Sequence, residues 1–312
     1  MPCLPKNGPR EYNTAVTQAA TESEIPVLTD LALLVDADLA VRIEQLDLPE
    51  NLLDALRYAC LSGGKRLRPV LTLLSCKALG GSLETAFPAA AALEMIHCFS
   101  LVHDDLPALD DDDMRRGRPA LHIHSTEAMA ILTGDIMISI AFEIIGQSDL
   151  PDTQRSLLTF ELAHATTAMI TGQVYDTIGG FGSEISESDR LALIHRNKTG
   201  ALLRGACRLG AICGKADSEQ LGALTDFGET IGLMFQIVDD LLDVTQSSEH
   251  IGKATGKDQS AGKLTFPGLF GIDASRQKIL TLQTHALESI KPLGPPAAPL
   301  GELCNYLAIR TR

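Results

Sequence analysis

The chain has no tryptophan, and aromatic residues make up only 4% of its 312 residues. Alternation of β-branched and polar residues is nearly absent, whereas apolar residues recur at helical spacing from Leu28 onward. Half-buried strands need that alternation, so the pattern argues against a large β-sheet. It predicts a single all-α domain with ten or more helices.

Basic residues are also in short supply, with 26 Lys and Arg against 40 Asp and Glu and a net charge of −14. Nucleic-acid binding normally needs a net basic face, so it is not expected as a main activity. The one local basic cluster, Lys65-Arg66-Leu67-Arg68, is too short for a nucleic-acid arm.

The seven cysteines are odd in number and form no CxxC pair, which argues against zinc ribbons and thioredoxin-like sites. We expect reduced, buried thiols in a cytoplasmic protein. The acidic N-terminus lacks the apolar core of a secretory signal. No apolar run reaches about 18 residues without a charged or polar break, so no stable membrane insertion is predicted.

Residues 1–26 contain several prolines and no periodic pattern, which predicts a flexible tail before one domain over 27–312. Long helices are predicted at about 87–106, 131–146, 155–178, 188–213 and 225–244. Glycine or proline breaks are expected at 62–64, 179–182, 246–268 and 292–299.

Two acidic clusters are the most informative motifs: Asp104-Asp105-Leu-Pro-Ala-Leu-Asp110 and Asp239-Asp240-Leu-Leu-Asp243. Such dense carboxylates repel one another unless cations lie between them. Mg²⁺ is usually held by one or two carboxylates, while the phosphates of a substrate complete its shell. The two clusters therefore predict an enzyme that clamps a diphosphate through Mg²⁺.

The spacing of each cluster predicts a different local geometry. Asp239 and Asp243 are four residues apart and share one face of a helix. Asp104 and Asp110 are six residues apart, which places them on different faces of a straight helix. Pro107 disfavours continuation of that helix, so we expect the chain to bend and bring Asp110 back towards Asp104.

Other interpretations of the acidic residues and glycine loops fit less well. A solvated acidic turn explains residues 111–113 equally well, but not the second cluster, which ends an apolar helix. A calcium loop would need glycine at its sixth position and Glu at its twelfth. The segment 252–258 resembles a Walker A loop, but Asp258 stands where Ser or Thr must hold Mg²⁺.

Basic residues flank both clusters. Ser62-Gly63-Gly64-Lys65-Arg66-Leu67-Arg68-Pro69 offers three cations after two flexible glycines, and arginine can bind phosphate through two parallel hydrogen bonds. Arg115 and Arg116 follow the first cluster, where simple charge balance is the rival explanation. His97 precedes Asp104 on the same predicted helix, and we favour a substrate-binding role over a core role.

Together these motifs, with Gly134-Asp135, Lys198-Thr199-Gly200, Phe235-Gln236 and Gly262-Lys263-Leu-Thr-Phe-Pro267, resemble the trans-isoprenyl diphosphate synthases, the polyprenyl synthetase family. The resemblance runs from about residue 30 to the C-terminus and is strongest to bacterial farnesyl and plant-type geranylgeranyl diphosphate synthases. It implies a homodimer in which an isoprenoid synthase bundle surrounds a deep central cavity.

The resemblance also implies the role of each residue. Three Mg²⁺ ions, for which Mn²⁺ can substitute, would be bound by Asp104, Asp110 and Asp239 and supported by Asp105, Asp240 and Asp243. The allylic diphosphate would be contacted by Arg115, Lys198 and Lys263, with Lys253 close by. Isopentenyl diphosphate would be bound by Lys65, Arg68, His97 and Arg116. Thr199 and Gln236 would line the path of the developing cation.

The implied reaction is the head-to-tail condensation of isopentenyl diphosphate with dimethylallyl and geranyl diphosphate. Phe99, next to Ser100, lies five residues before Asp104, roughly 7 Å deeper along the helix. A ring there would floor the cavity, so we expect the C15 product, farnesyl diphosphate, with the C20 product as the alternative. A class I terpene cyclase would lack the second aspartate cluster, and a non-catalytic regulatory homologue would have lost aspartates.

Overall fold

In the computed structural model, residues 26–245 and 264–310 are described. These residues are helical apart from short loops and one small hairpin, so the predicted all-α class is confirmed. Most of the predicted tail, and Lys253 and Lys263, lie outside the described residues.

The helices of the described residues are α1 Pro26–Glu44, α2 Glu50–Cys60, α3 Leu67–Ala78, α4 Leu83–Asp104, α5 Leu121–His124, α6 Glu127–Gly146, α7 Asp152–Thr177, α8 Glu187–Ile194, a π-helix His195–Thr199, α9 Gly200–Cys213, α10 Ser218–Thr245, α11 Phe266–Phe270, α12 Ile272–Ile290 and α13 Ala298–Ile309. Two-residue strands β1 Met114–Arg115 and β2 Arg118–Pro119 form the hairpin. Two 3₁₀ turns, Lys291–Leu293 and Pro295–Ala297, occupy the predicted proline-rich break.

Side-chain caps set where several helices begin. Ser82 accepts a hydrogen bond from the amide of Thr85 at the start of α4, and Thr126 does the same for Met129 at the start of α6. A capping oxygen satisfies an amide that has no partner inside the helix. Both helices therefore begin four residues before the positions predicted from apolar spacing.

The core lies around α4 and α9. Most of α4 from Ala86 to Phe99 is buried on all sides, and α9 is buried along almost its whole length. Helices α3, α6, α7 and α10 pack around this pair. The C-terminal ends of α4 and α10, which hold the two acidic clusters, therefore both extend from this buried core.

Two helices, α4 and α6, are long and apolar enough by length and composition to cross a membrane. Their most apolar windows are 67% and 44% buried inside the structure. A helix in the core of a water-soluble protein passes the same test, so this property is weak evidence for a membrane span.

Candidate active site

The first acidic cluster folds back on itself as Pro107 predicts. Helix α4 ends at Asp104, and the amide of Asp110 donates to the carbonyl oxygen of Asp104 at 2.8 Å. The amide of Asp112 likewise donates to the carbonyl of Asp105 at 3.2 Å. The distorted helix end is confirmed, and it brings the backbones of Asp104 and Asp110 into direct contact.

Asp104 lies where a negative charge is unfavourable. Burial raises its pKa to about 6; Lys198 and Arg115 act in the opposite direction, whereas the carboxylates of Asp110 and Asp105 add to the rise. A divalent cation beside Asp104 would favour its ionised form. The electrostatics of this residue therefore fit the predicted use as a metal ligand.

Arg115 is bound to the first cluster. Its Nε lies 3.0 Å and 3.1 Å from the two carboxylate oxygens of Asp105, and its Nη2 also pairs with Asp105. Asp112 is 3.8 Å from the same guanidinium. Charge balance therefore operates here, and it fixes Arg115 beside Asp104.

The hairpin presents Arg116 to the glycine loop. Its two-residue turn, Arg116-Gly117, has φ values of 52° and 73°, which is the left-handed backbone of a type I′ turn. Arg116 donates to the carbonyl of Gly63, and a Cβ on Gly64 would lie 2.7 Å from Arg116 Cζ. The glycine at 64 thus lets the guanidinium approach the backbone.

His97 lies among several arginines. Its Nε2 is 3.3 Å from Nη1 of Arg68. Burial, together with the charges of Arg68, Arg116, Arg66 and Arg115, holds the pKa of His97 well below its usual range. Among the described residues, the buried Nε of Arg68 has no hydrogen-bond partner. The imidazole of His97 is therefore neutral, and the arginines around it are cationic. Such surroundings suit an anionic ligand.

Arg66 is not available to a ligand, contrary to the prediction of three available cations. It adopts a left-handed conformation with φ 47° and turns into the core, where it is 2% exposed. Its guanidinium pairs with Asp36 at 2.6 Å and Glu94 at 2.7 Å. Arg66 therefore anchors the loop, while Lys65 and Arg68 remain as the candidate ligands of a phosphate.

The second cluster lies on α10, which is helical throughout as predicted. Asp239 Oδ1 is 2.5 Å from Nη2 of Arg310, and the Arg310 guanidinium lies 3.9 Å from the ring centroid of Phe235. Burial raises the pKa of Asp239, and Arg310 opposes the rise. A metal bound at Asp239 would share this carboxylate with Arg310 or displace the guanidinium.

Asp240 instead joins α10 to two other elements, the π-helix and α11. It accepts hydrogen bonds from Gln236 Nε2 at 3.0 Å and from the amide of Phe266 at 2.8 Å, and His195 Nε2 lies 3.4 Å away. Gln236 in turn accepts from the hydroxyl of Thr199 at 2.7 Å. Asp240 thus orients the Thr199–Gln236 pair.

Lys198 lies in the π-helix that interrupts the predicted continuous helix 188–213. Its Nζ pairs with Asp176 Oδ2 at 2.6 Å. One helical turn before Asp176, the backbone of Gly172 touches the π-helix, and a Cβ there would lie 2.1 Å from the amide nitrogen of Lys198. Asp176 and Gly172 are functional candidates that the sequence motifs did not identify.

The two acidic clusters lie beside basic residues that are linked through His97 and Arg68. Arg115 acts electrostatically on both Asp104 and His97, and the charge of Asp239 acts on Arg68, the partner of His97. Lys65 lowers the pKa of Asp239. The structure thus brings the predicted metal ligands and phosphate ligands into one region.

The carboxylates fit a hard divalent cation, which takes oxygen ligands. Within residues 26–245 and 264–310, however, no group of three or more His, Cys, Asp or Glu side chains is assembled around one metal position. The carboxylate of Asp105 is paired with Arg115, and that of Asp239 is paired with Arg310. The carboxylate of Asp240 accepts hydrogen bonds from the protein itself. The ligand roles of all six aspartates, Asp243 included, remain predictions.

Phe99 and Ser100 occupy different sides of α4. Phe99 is 5% exposed and packs edge-on against His103, with 5.3 Å between ring centroids. At about 100° per residue it lies roughly 140° around the helix from Asp104. Ser100, one turn before Asp104, shares the Asp104 face and is only partly buried.

These features describe an all-helical protein in which carboxylates and cationic side chains converge on one region. The model of the polyprenyl synthetase family matches residues 49–291, so the chain belongs to this family and is a prenyltransferase. It is 43% identical over 267 residues to a chloroplastic geranylgeranyl pyrophosphate synthase of Catharanthus roseus, which covers 84% of this chain and 74% of the relative.

A second relative, geranylgeranyl pyrophosphate synthase 11 of Arabidopsis thaliana, is 42% identical, with 84% of this chain and 75% of the relative covered. Among solved structures, an FPP/GFPP synthase of Zymomonas mobilis superposes with a TM-score of 0.80 at 32% identity, covering 91% of this chain and 98% of that one. The predicted family is confirmed.

Proposed function

We propose that this protein elongates prenyl chains by the Mg²⁺-dependent head-to-tail condensation of isopentenyl diphosphate with an allylic diphosphate. The observation that carries the proposal is the shared surroundings of the two acidic clusters and the Arg68–His97 group. One diphosphate can lie against the aspartates while a second lies against the arginines.

On the allylic side, Asp104, Asp110 and Asp239 would hold Mg²⁺, for which Mn²⁺ can substitute. When bound, the metal supplies positive charge that stabilises the departing diphosphate. Lys198, held by Asp176, and Arg115, held by Asp105, would contact the same diphosphate. Fixed cations of this kind stabilise developing charge without reorganising during the reaction.

On the other side, isopentenyl diphosphate would bind to Lys65, Arg68, His97 and Arg116. The C–O bond of the allylic diphosphate breaks, and the double bond of isopentenyl diphosphate forms the new C–C bond with the allylic carbon. The hydroxyl of Thr199 and the amide of Gln236 would present dipoles to the allylic cation. A proton is then lost, and the released diphosphate is the proposed base.

For the product we propose C20, geranylgeranyl diphosphate, in place of the C15 product expected from the sequence. The two plant relatives described above are both named geranylgeranyl pyrophosphate synthases. The small side chain of Ser100 lies on the Asp104 face of α4, and Phe99 packs against His103. This arrangement supports a cavity that continues past the first turn below Asp104.

C15 remains a second candidate because a buried aromatic ring does stand five residues before Asp104 and the Zymomonas neighbour is named an FPP/GFPP synthase. The deciding experiment supplies farnesyl diphosphate as the only allylic starter with isopentenyl diphosphate and Mg²⁺. Its conversion to C20 supports our proposal. If farnesyl diphosphate is not extended, while geranyl diphosphate yields C15, the product is farnesyl diphosphate.

The same preparation distinguishes a prenyl elongation enzyme from a terpene cyclase, which would consume allylic diphosphate without isopentenyl diphosphate.

A metal titration distinguishes the enzyme from a simple metal-binding protein. We expect tight Mg²⁺ uptake in calorimetric titration only when a diphosphate is present, because the phosphates complete the metal shell. Equal uptake without diphosphate would contradict the proposed metal role.

We also propose a cytoplasmic homodimer formed through α6 and α7. Helix α7 exposes several large apolar side chains, with Leu157 55% and Phe160 69% exposed. Apolar faces of this kind mark interaction surfaces. Light scattering after size exclusion should give twice the chain mass of 33.4 kDa, and the single-chain mass would contradict the dimer.

A further inference from the structure

Tyr58 on α2 is bound by three residues that follow the arginine pair. Its hydroxyl donates to the carbonyl oxygen of Pro119 at 2.7 Å. The guanidinium of Arg118 lies 4.3 Å from the centroid of its ring, and the imidazole of His124 stacks on it at 3.8 Å with 6° between the planes. These contacts join α2 to the segment that leaves the hairpin.

The hairpin has little internal support. Each strand has two residues, and an isolated two-stranded hairpin is at best marginally stable in water. A cavity of about 30 Å³ lies between it and α4, lined by side chains that include Tyr58, Val102 and Arg118. Contacts with neighbouring elements must therefore fix the position of the hairpin.

Those contacts differ for the two arginines. The Arg115 guanidinium is held by the carboxylate of Asp105. In the part of the chain that the structure describes, the Arg116 guanidinium donates only to the carbonyl of Gly63, a neutral acceptor. An arginine–carboxylate pair with several hydrogen bonds fixes the guanidinium more firmly than one bond to a neutral carbonyl does. Arg116 thus depends more on the position of the hairpin itself.

We propose that Tyr58 is a positioning residue for Arg116, and through Arg116 for isopentenyl diphosphate. This inference rests on the proposed function, which assigns Arg116 to that substrate. Loss of the Tyr58 contacts allows the hairpin to shift, and Arg116 moves with it. Arg115 stays on Asp105, so binding of the allylic diphosphate is affected much less.

The test compares Tyr58→Leu, Tyr58→Phe and the control Arg57→Ala in steady-state assays with each substrate varied in turn. Arg57 is the neighbouring residue on α2, and its guanidinium pairs with Glu44, Glu50 and Asp54, away from the hairpin. Arg57→Ala therefore reports a general loosening of α2. Thermal unfolding of all four proteins shows which variants are folded.

For Tyr58→Leu we expect the KM for isopentenyl diphosphate to rise about tenfold, because misplacing a binding group by a fraction of 1 Å has effects of this size. The allylic KM and kcat should stay within about threefold. Tyr58→Phe keeps both ring contacts and loses one hydrogen bond, so its KM for isopentenyl diphosphate should rise about threefold. Arg57→Ala should leave both KM values at the wild-type level.

Equal rises in the two KM values, or a fall in kcat alone, would overturn the positioning role. If Tyr58→Leu does not fold, Tyr58→Phe decides, and an unchanged KM for isopentenyl diphosphate in that variant overturns the inference. A wild-type protein that elongates no allylic starter would instead refute the proposed function and this inference with it.

Discussion

The contact between Gly172 and the π-helix allows a sharp test of how Lys198 is positioned. In Gly172→Ala, the new Cβ would lie 2.1 Å from the amide nitrogen of Lys198 and 2.5 Å from its Cα. Close-packed atoms do not tolerate such distances, and both sides of the contact are backbone. Helix α7 and the π-helix must therefore separate by about 1 Å.

The size of the effect should differ between stability and catalysis. Overpacking in a core costs about 1–3 kcal/mol, and replacing glycine by alanine inside a helix returns about 1 kcal/mol. The free energy of unfolding should thus fall by no more than about 2 kcal/mol. A shift of about 1 Å in Lys198 should lower kcat by about 10- to 100-fold, because catalytic groups act only in the correct geometry.

The assay measures kcat at saturating substrates and the free energy of unfolding in urea. Gly222→Ala on α10 is the matched control, since no atom lies within 4 Å of the position of its Cβ. It should gain up to about 1 kcal/mol of stability with an unchanged kcat. Wild-type kcat in a folded Gly172→Ala would refute the idea that this contact positions Lys198.

Three other substitutions test separate parts of the site. Ser100→Phe places a ring on the Asp104 face of α4 and should shorten the main product to C15 on chromatography; an unchanged C20 product contradicts the proposed cavity wall. In the unfolded chain His97 takes up a proton near pH 6.5, whereas in the folded protein its imidazole stays neutral at this pH. The free energy of unfolding therefore falls as the pH drops. Between pH 7.5 and 5.5 the wild type should lose up to about 1.4 kcal/mol more than His97→Gln in urea denaturation, and equal losses would exclude a depressed pKa. Arg66→Met leaves Glu94 buried without its cation and should lower the free energy of unfolding by about 3–5 kcal/mol, whereas a loss below about 1 kcal/mol would show that the pair does not anchor the loop.

Local rules were enough to predict the geometry of the first acidic cluster. Pro107 disfavours continuation of the helix, and the prediction that Asp110 returns towards Asp104 required only that preference and the six-residue spacing. The shared helix face of Asp239 and Asp243 follows from their four-residue spacing. The start of α4 was predicted late because apolar spacing does not reveal the cap at Ser82.

Arg66 could not be placed from its neighbours in sequence. Lys65, Arg66 and Arg68 form one basic cluster, yet the guanidinium of Arg66 turns inward and pairs with two carboxylates. Those partners, Asp36 and Glu94, lie about 30 residues away on either side. A left-handed backbone at Arg66 turns the side chain inward, and no turn residue in the sequence indicates that conformation.

Long-range pairing also explains what was missed around Lys198 and Asp239. The π-helix arises where α7 packs against residues 195–199, and apolar periodicity cannot distinguish it from an α-helix. Asp176 is an ordinary charged residue in the sequence, and only the packing of α7 shows that it pairs with Lys198. The family resemblance suggests that C-terminal Arg310 helps to close the site, but only the packing of α13 shows that its partner is Asp239.

The most direct test of the central claim is the incorporation of radiolabelled isopentenyl diphosphate into prenyl products with dimethylallyl, geranyl or farnesyl diphosphate, with and without Mg²⁺. We predict incorporation that requires Mg²⁺, is abolished by EDTA and ends at C20. Mg²⁺-dependent products that end at C15 would keep the chemistry and refute the proposed chain length. No incorporation with any of the three starters would contradict the account as a whole.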